Sequence, residues 1–367
     1  VSQRAALQLW AQCLPGMGRR GLGSLRWGGL GLSLSLSWGV AMAATPGSWA
    51  APTQAPTSDG EVVEVLRDRP LSAEARQMRA QRAQLRARPQ DLPLATQVAW
   101  QALRAARRDG DPRLLGQAQA ALAPWWALPA PPLEVRLLRA TVLQSTHEFD
   151  AALKDLQALV KLPAASPQAW LTLASVLQVT GRYGEAQAAC EGLRATGDAT
   201  VAVLAQACVL ELHSLRGQPD LARDGLQALS QQAPPALQPQ LQLMRAELAE
   251  RMGQPQQALV LYRTLLLQQD DAYLLGNLAD LLLDMGRPAE VLSLLQGRER
   301  NDALLLRLAE AGRALSGGAQ RPGAEVATQV AALKARFEAA HLRGDRVHRR
   351  EEARLALRLL NQPQRAL

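Results

Sequence analysis

Lysine occurs only at positions 154, 161 and 334, and the chain holds two phenylalanines, three tyrosines and three cysteines in 367 residues. Each scarcity excludes something. Nucleic-acid binders cluster lysine and arginine on one face, often with aromatics that stack on bases. Here arginine is dispersed among aspartate and glutamate, and half of the net charge of +8 sits on Arg4, Arg19, Arg20 and Arg26; nucleic acid is not an expected partner. So few cysteines cannot staple a disulfide-built scaffold, and no Cys/His set has zinc-ligand spacing. Aromatic residues make up 4% of the chain, and no stretch beyond Glu61–Leu66 alternates apolar and polar residues in the manner of a half-buried strand. What is abundant is leucine and alanine, which lose little freedom in a helix. The expectation is an all-α protein.

The first residues read as an export signal. Arg19, Arg20 and Arg26 form a basic leader, the uncharged stretch Trp27–Met42 follows, and Ala41-Met42-Ala43 supplies the small residues that signal peptidase requires. Cleavage is expected between Ala43 and Ala44, with Met17 a natural start for the leader. The apolar stretch is too short and too diluted by Gly28, Gly29, Gly31 and interspersed serines for a stable span, which needs about 20 apolar residues. No membrane span is therefore expected after cleavage. Residues 44–72 contain Pro46, Pro52 and Pro56 among alanine and threonine, a composition that denies a helix and buries little, hence a disordered spacer.

Self-comparison is more informative. A shift of 34 residues places Ala140 on Ala174, Leu143 on Leu177, Phe149 on Tyr183, Ala152 on Ala186 and Leu159 on Leu193. The segment 167–200 carries Trp170, Leu173, Ala174, Leu177, Gly181, Tyr183 and Ala186; Ala246, Gly253, Ala258 and Tyr262 repeat part of this spacing, followed by Leu275, Leu278, Ala279, Leu282 and Gly286. A fixed period with small residues at two interior points marks stacked helix pairs: the alanines allow two helices to cross closely, and the glycine ends the first of them. On these residues the chain resembles the tetratricopeptide repeat superfamily, and specifically an exported bacterial member. The resemblance implies a right-handed superhelical solenoid of antiparallel helix pairs. Degenerate pairs are expected over 73–132, two clear repeats over 133–200, a degenerate pair over 201–238, two further repeats over 239–300, and weak helical repeats over 301–367, the last of which stops short.

The resemblance also implies a concave groove lined by positions 2, 5, 9 and 12 of each first helix. These are Glu134, Leu137, Thr141 and Gln144; Gln168, Leu171, Ser175 and Gln178; Gln240, Leu243, Glu247 and Glu250; and Tyr273, Gly276, Asp280 and Leu283. The stripe begins neutral and amide-rich and ends acidic, which suits a neutral or basic segment of a partner protein. It lacks the lysine and asparagine with which carboxylate-clamping repeats hold a partner's terminus. The expected role is an exported protein-interaction scaffold; the alternative is a helical module serving an envelope enzyme or polysaccharide-export machine whose catalytic part lies outside this chain. No nucleophile with its base, phosphate loop or carboxylate pair is apparent, so neither catalysis nor a cofactor is expected. Cys190 and Cys208 lie on successive helices and are a candidate disulfide for an oxidising, periplasmic or extracellular compartment. The cluster His341, Asp345, His348, Glu351 and Glu352 has no recognised metal-ligand spacing and reads as a helix end paired with arginines, with no metal.

Overall fold

The computed structural model describes residues 72–163, 165–197, 199–317, 323–342, 344 and 348–366; the export signal, its Ala43–Ala44 cleavage site and nearly all of the 44–72 spacer lie outside them. Described residues from Met78 onward belong to one compact unit, and those before it to another. Among the described residues there are helices and turns but no strand.

The helices are α1 (Ala73–Ala87), α2 (Leu92–Asp109), α3 (Arg113–Ala121), the single turn α4 (Ala123–Trp126), α5 (Leu133–Ser145), α6 (Phe149–Val160), α7 (Pro167–Val179), α8 (Tyr183–Arg194) and α9 (Ala199–Leu215). They continue with α10 (Pro219–Gln232), α11 (Gln238–Arg251), α12 (Pro255–Leu266), α13 (Ala272–Asp284), α14 (Pro288–Leu295), α15 (Asp302–Leu315), α16 (Ala324–Leu342) and α17 (Arg349–Arg358). From α2 to α16 consecutive helices pack on one another, so that each pair packs on the next.

The sequence explains both ends of the helices. Asp91, Ser166, Asp271 and Asn301 each accept a hydrogen bond from the backbone N–H three residues on, capping α2, α7, α13 and α15. The turn inside each of the five pairs from α5 to α14 repeats one arrangement: the N–H of Glu148, Arg182, Gln218, Gln254 or Arg287 donates to the carbonyl five residues earlier, at 2.8–2.9 Å. That bond closes a Schellman turn and requires a left-handed residue just before it. Glycine fills that place at 181, 217, 253 and 286, whereas His147, with φ 66°, fills it between α5 and α6. Where the helices cross, Ala140, Ala152, Ala174, Ala186, Ala246, Ala258 and Ala279 have no exposed surface, so no larger side chain fits without separating the pair.

The principal core runs continuously from α5 to α15, a second cluster joins α1, α2, α3 and α5, and a third joins α15, α16 and α17. Trp125 and Trp126 are half-buried against the second cluster. The proline-rich link after them is pinned by Arg139, which donates to the carbonyls of Trp126 and Leu128 while its guanidinium pairs with Asp155 at 2.7 Å.

Candidate functional site

Counting back six residues from each left-handed turn residue gives one row of side chains on successive first helices: Arg104, Thr141, Ser175, Glu211, Glu247 and Asp280. Counting back three gives the adjacent row: Arg107, Gln144, Gln178, Ser214, Glu250 and Leu283. Positions three apart share a helix face, so the two rows form a strip across α2, α5, α7, α9, α11 and α13.

The α5–α7 part of the strip is chemically quiet. Thr141 Oγ1 donates to the Leu137 carbonyl at 2.8 Å and Ser175 Oγ to the Leu171 carbonyl at 3.0 Å, so both hydroxyls are satisfied by their own helix. Gln168 Nε2 donates to Thr172 Oγ1 at 3.2 Å. The amide of Gln178 is buried with no hydrogen-bond partner among the described residues.

From α9 onward the strip is a polar network. Arg251 donates to Glu211 Oε2 at 3.1 Å and to Ser214 Oγ at 3.0 Å. Glu247 Oε1 accepts from the Tyr273 hydroxyl at 2.5 Å and from Asn277 Nδ2 at 3.3 Å. Asp280 is held by Arg307 at 2.6 Å and by Arg354 at 2.7 Å; Arg354 also pairs with Glu310 through two bonds of 2.6 Å. Arg307, 1% exposed, donates further to the carbonyls of Gly276 and Ala303. One oxygen each of Glu211 and Glu247 is buried without a hydrogen-bond partner among the described residues. Burial, reinforced by the nearby Glu211 charge, pushes the Glu247 carboxyl up to about 8 against the opposing Tyr273 bond and Arg251 charge. Burial likewise raises Glu250 to about 6, with Asp280 and Asp284 adding to the effect and the Tyr262 hydroxyl and Arg251 opposing it.

The expected open stripe is corrected by these positions. Glu134 alone is exposed; Leu137, Glu250, Tyr273, Asp280 and Leu283 are half-buried; and Leu171, Thr141, Gln144, Gln168, Ser175, Gln178, Gln240, Leu243, Glu247 and Gly276 are buried. The reason is tertiary. First helices pack directly on their neighbours, and α2 also packs against α13, far along the chain. There the Asn301 side chain donates to the Asp109 carbonyl at 2.8 Å. A Cβ at Gly110, whose φ is +63°, would lie 2.3 Å from Asn301 Nδ2 and 3.0 Å from Ala272 Cβ, so this approach requires glycine.

Cys190 on α8 and Cys208 on α9 are joined in a disulfide, with Cα atoms 5.8 Å apart and both residues fully buried. Of the C-terminal cluster, Asp345 lies outside the described residues, and the His341 Nε2 meets Glu352 at 2.6 Å. Among the described residues no three His, Cys, Asp or Glu side chains converge as metal ligands, and no helix is long and apolar enough to cross a membrane.

Sequence reading missed Glu211, Arg251, Arg307, Glu310 and Arg354. The first had a usable signal, since it stands six residues before Gly217 as Ser175 stands before Gly181. The arginines had none, because their partners lie tens of residues away.

Paired helices closed by repeated Schellman turns, with alanine at each crossing, define a tetratricopeptide-like helical solenoid, as the sequence resemblance implied. No protein-family model and no curated protein matches the chain. Solved structures that match include a tetratricopeptide repeat protein from Parabacteroides merdae, at 18% identity and a TM-score of 0.42, over 66% of this chain and 86% of that one.

Proposed function

We propose that this chain is an exported interaction scaffold that takes a neutral to basic segment of a partner protein along the acidic part of its first-helix strip. The observation that carries the reading is the pair of buried carboxyl oxygens on Glu211 and Glu247 that have no hydrogen-bond partner among the described residues. Leaving such atoms unmatched costs about 1–3 kcal/mol each, and an inserted ammonium, guanidinium or amide N–H supplies what they lack. Glu250, half-buried beside them, is the point of access. Export is supported by the leader pattern of residues 19–43 and by the buried Cys190–Cys208 bridge, since such bridges persist in oxidising compartments.

The test is retention of a partner from envelope extract by the chain beginning at Ala44. One defined protein is expected to be held by the wild type and lost by Glu250→Lys, with helical circular dichroism unchanged. Equal retention by both proteins would remove the acidic strip from the reading. Fractionation of cells carrying the full chain tests export separately: recovery in the cytosol with both thiols free to react with maleimide would overturn it.

A further inference from the structure

A second surface, away from the first-helix strip, has its own chemistry. An open groove runs along α6, bounded at one end by Arg182 of the turn between α7 and α8, with Leu153, Asp150, Lys154, Gln157, Ala158 and Lys161 lining it. The charges are graded along it. At one end Arg182 is occupied by Glu185, through bonds of 2.7 and 2.6 Å, and Asp150 stands nearby. At the other end Lys154 and Lys161 are exposed and form no ion pair with any described residue. Arginines at two other second helices do the opposite: Arg223, and Arg287 at the N-cap, both half-buried, each pair with an acidic residue three positions away. Two of the only three lysines in the chain thus lie along one face of α6 and its C-cap, neither in an ion pair with a described residue, with Asp150 one turn before Lys154.

We propose that this groove docks an acidic segment of a partner protein, in polyproline II conformation, with two carboxylates three residues apart. Seven helical residues separate the lysines by about 10 Å along the axis. A polyproline II chain advances about 3.1 Å per residue with three residues per turn, so side chains three apart share a face about 9 Å from each other. A β-strand would put those same side chains on opposite faces, and the all-helical surround offers no strand edge for its backbone. A polyproline II backbone stays solvated and needs none; the Gln157 amide is placed to bond to it. The proposal does not depend on the acidic strip, whose residues are untouched by the variants below.

The probe is a fluorescein-labelled peptide, Gly-Pro-Glu-Pro-Pro-Glu-Pro-Gly, titrated with the full chain and followed by anisotropy. Saturable binding is expected, weakening as salt is raised and weakening about tenfold or more in the double variant Lys154→Glu/Lys161→Glu. Lys334→Glu should leave it unchanged. Carbodiimide coupling should join the probe to Lys154 or Lys161 and leave Lys334 unmodified. A peptide of the same composition with adjacent glutamates should bind at least several-fold more weakly. No saturable binding, equal binding of the two peptides, or indifference to the double variant with circular dichroism unchanged would each overturn the proposal.

Discussion

The α7–α8 and α11–α12 pairs share a framework and differ in what they carry. Ala174 and Ala246 are both fully buried at a helix crossing, Gly181 and Gly253 both end the first helix with positive φ, and Ala186 and Ala258 face the crossing from the second. On that common framework the strip positions diverge. Ser175 bonds to its own helix, whereas Glu247 depends on Tyr273 and Asn277 of the next pair. At the strip, the early pairs thus rely on bonds within each helix, while the later pairs depend on polar and charged groups meeting across helices; away from the strip, the Arg139–Asp155 pair joins α5 to α6. A repeat array tolerates this because each pair makes most of its contacts with its neighbours.

The largest effect should come from breaking the later network. Arg307→Ala removes the donor that serves Asp280, Gly276 and Ala303 at once. Deleting one member of a buried ion pair costs about 3–5 kcal/mol, read as a fall in the urea midpoint; Ser175→Ala should change it by less than about 1 kcal/mol. Equal effects at the two sites would erase the contrast.

The dependence on pH should sharpen it. Burial raises the folded pKa of Glu247 to about 8 from the ordinary 4.5. The folded state therefore binds the proton more tightly than the unfolded chain does. Its contribution is fully present below the unfolded value and is lost as pH rises through the folded value. Denaturation midpoints should fall between about pH 5 and pH 8, and Glu247→Gln should flatten that slope. An unchanged slope in the variant would place its origin elsewhere.

The smallest effect lies in the turns. His147 holds a left-handed conformation that glycine holds in the other pairs described. His147→Gly should stabilise the α5–α6 turn by about 1 kcal/mol, measured as a small rise in Tm, and Gly181→Ala should cost a similar amount.

These sites also show what a sequence reveals. Ala174, Ala186 and Gly181 were readable because each satisfies a constraint set within one helix pair, and the 34-residue shift brings those constraints into line. The disulfide between Cys190 and Cys208 was open to inference for the same reason, since it joins successive helices. The chemistry of Glu247 and Glu250 was visible as a run of acidic strip positions, but their burial was not. Glu247 is met by Tyr273 and Asn277 of the next pair, and Asp280 is held by Arg307 and Arg354 from much later in the chain. No periodicity within a repeat encodes those meetings.

The Cys190–Cys208 bridge ties α8, at the end of the quiet pairs, to α9, where the acidic network begins. Its consequence is mechanical. If the chain is pulled by its ends, helix pairs can peel away in turn, but the span between the two cysteines, a sequence separation of 18, cannot pay out. At about 3.5 Å per residue, roughly 60 Å of contour length stays hidden. The unravelled chain is therefore shorter by that length, and only a reductant releases it.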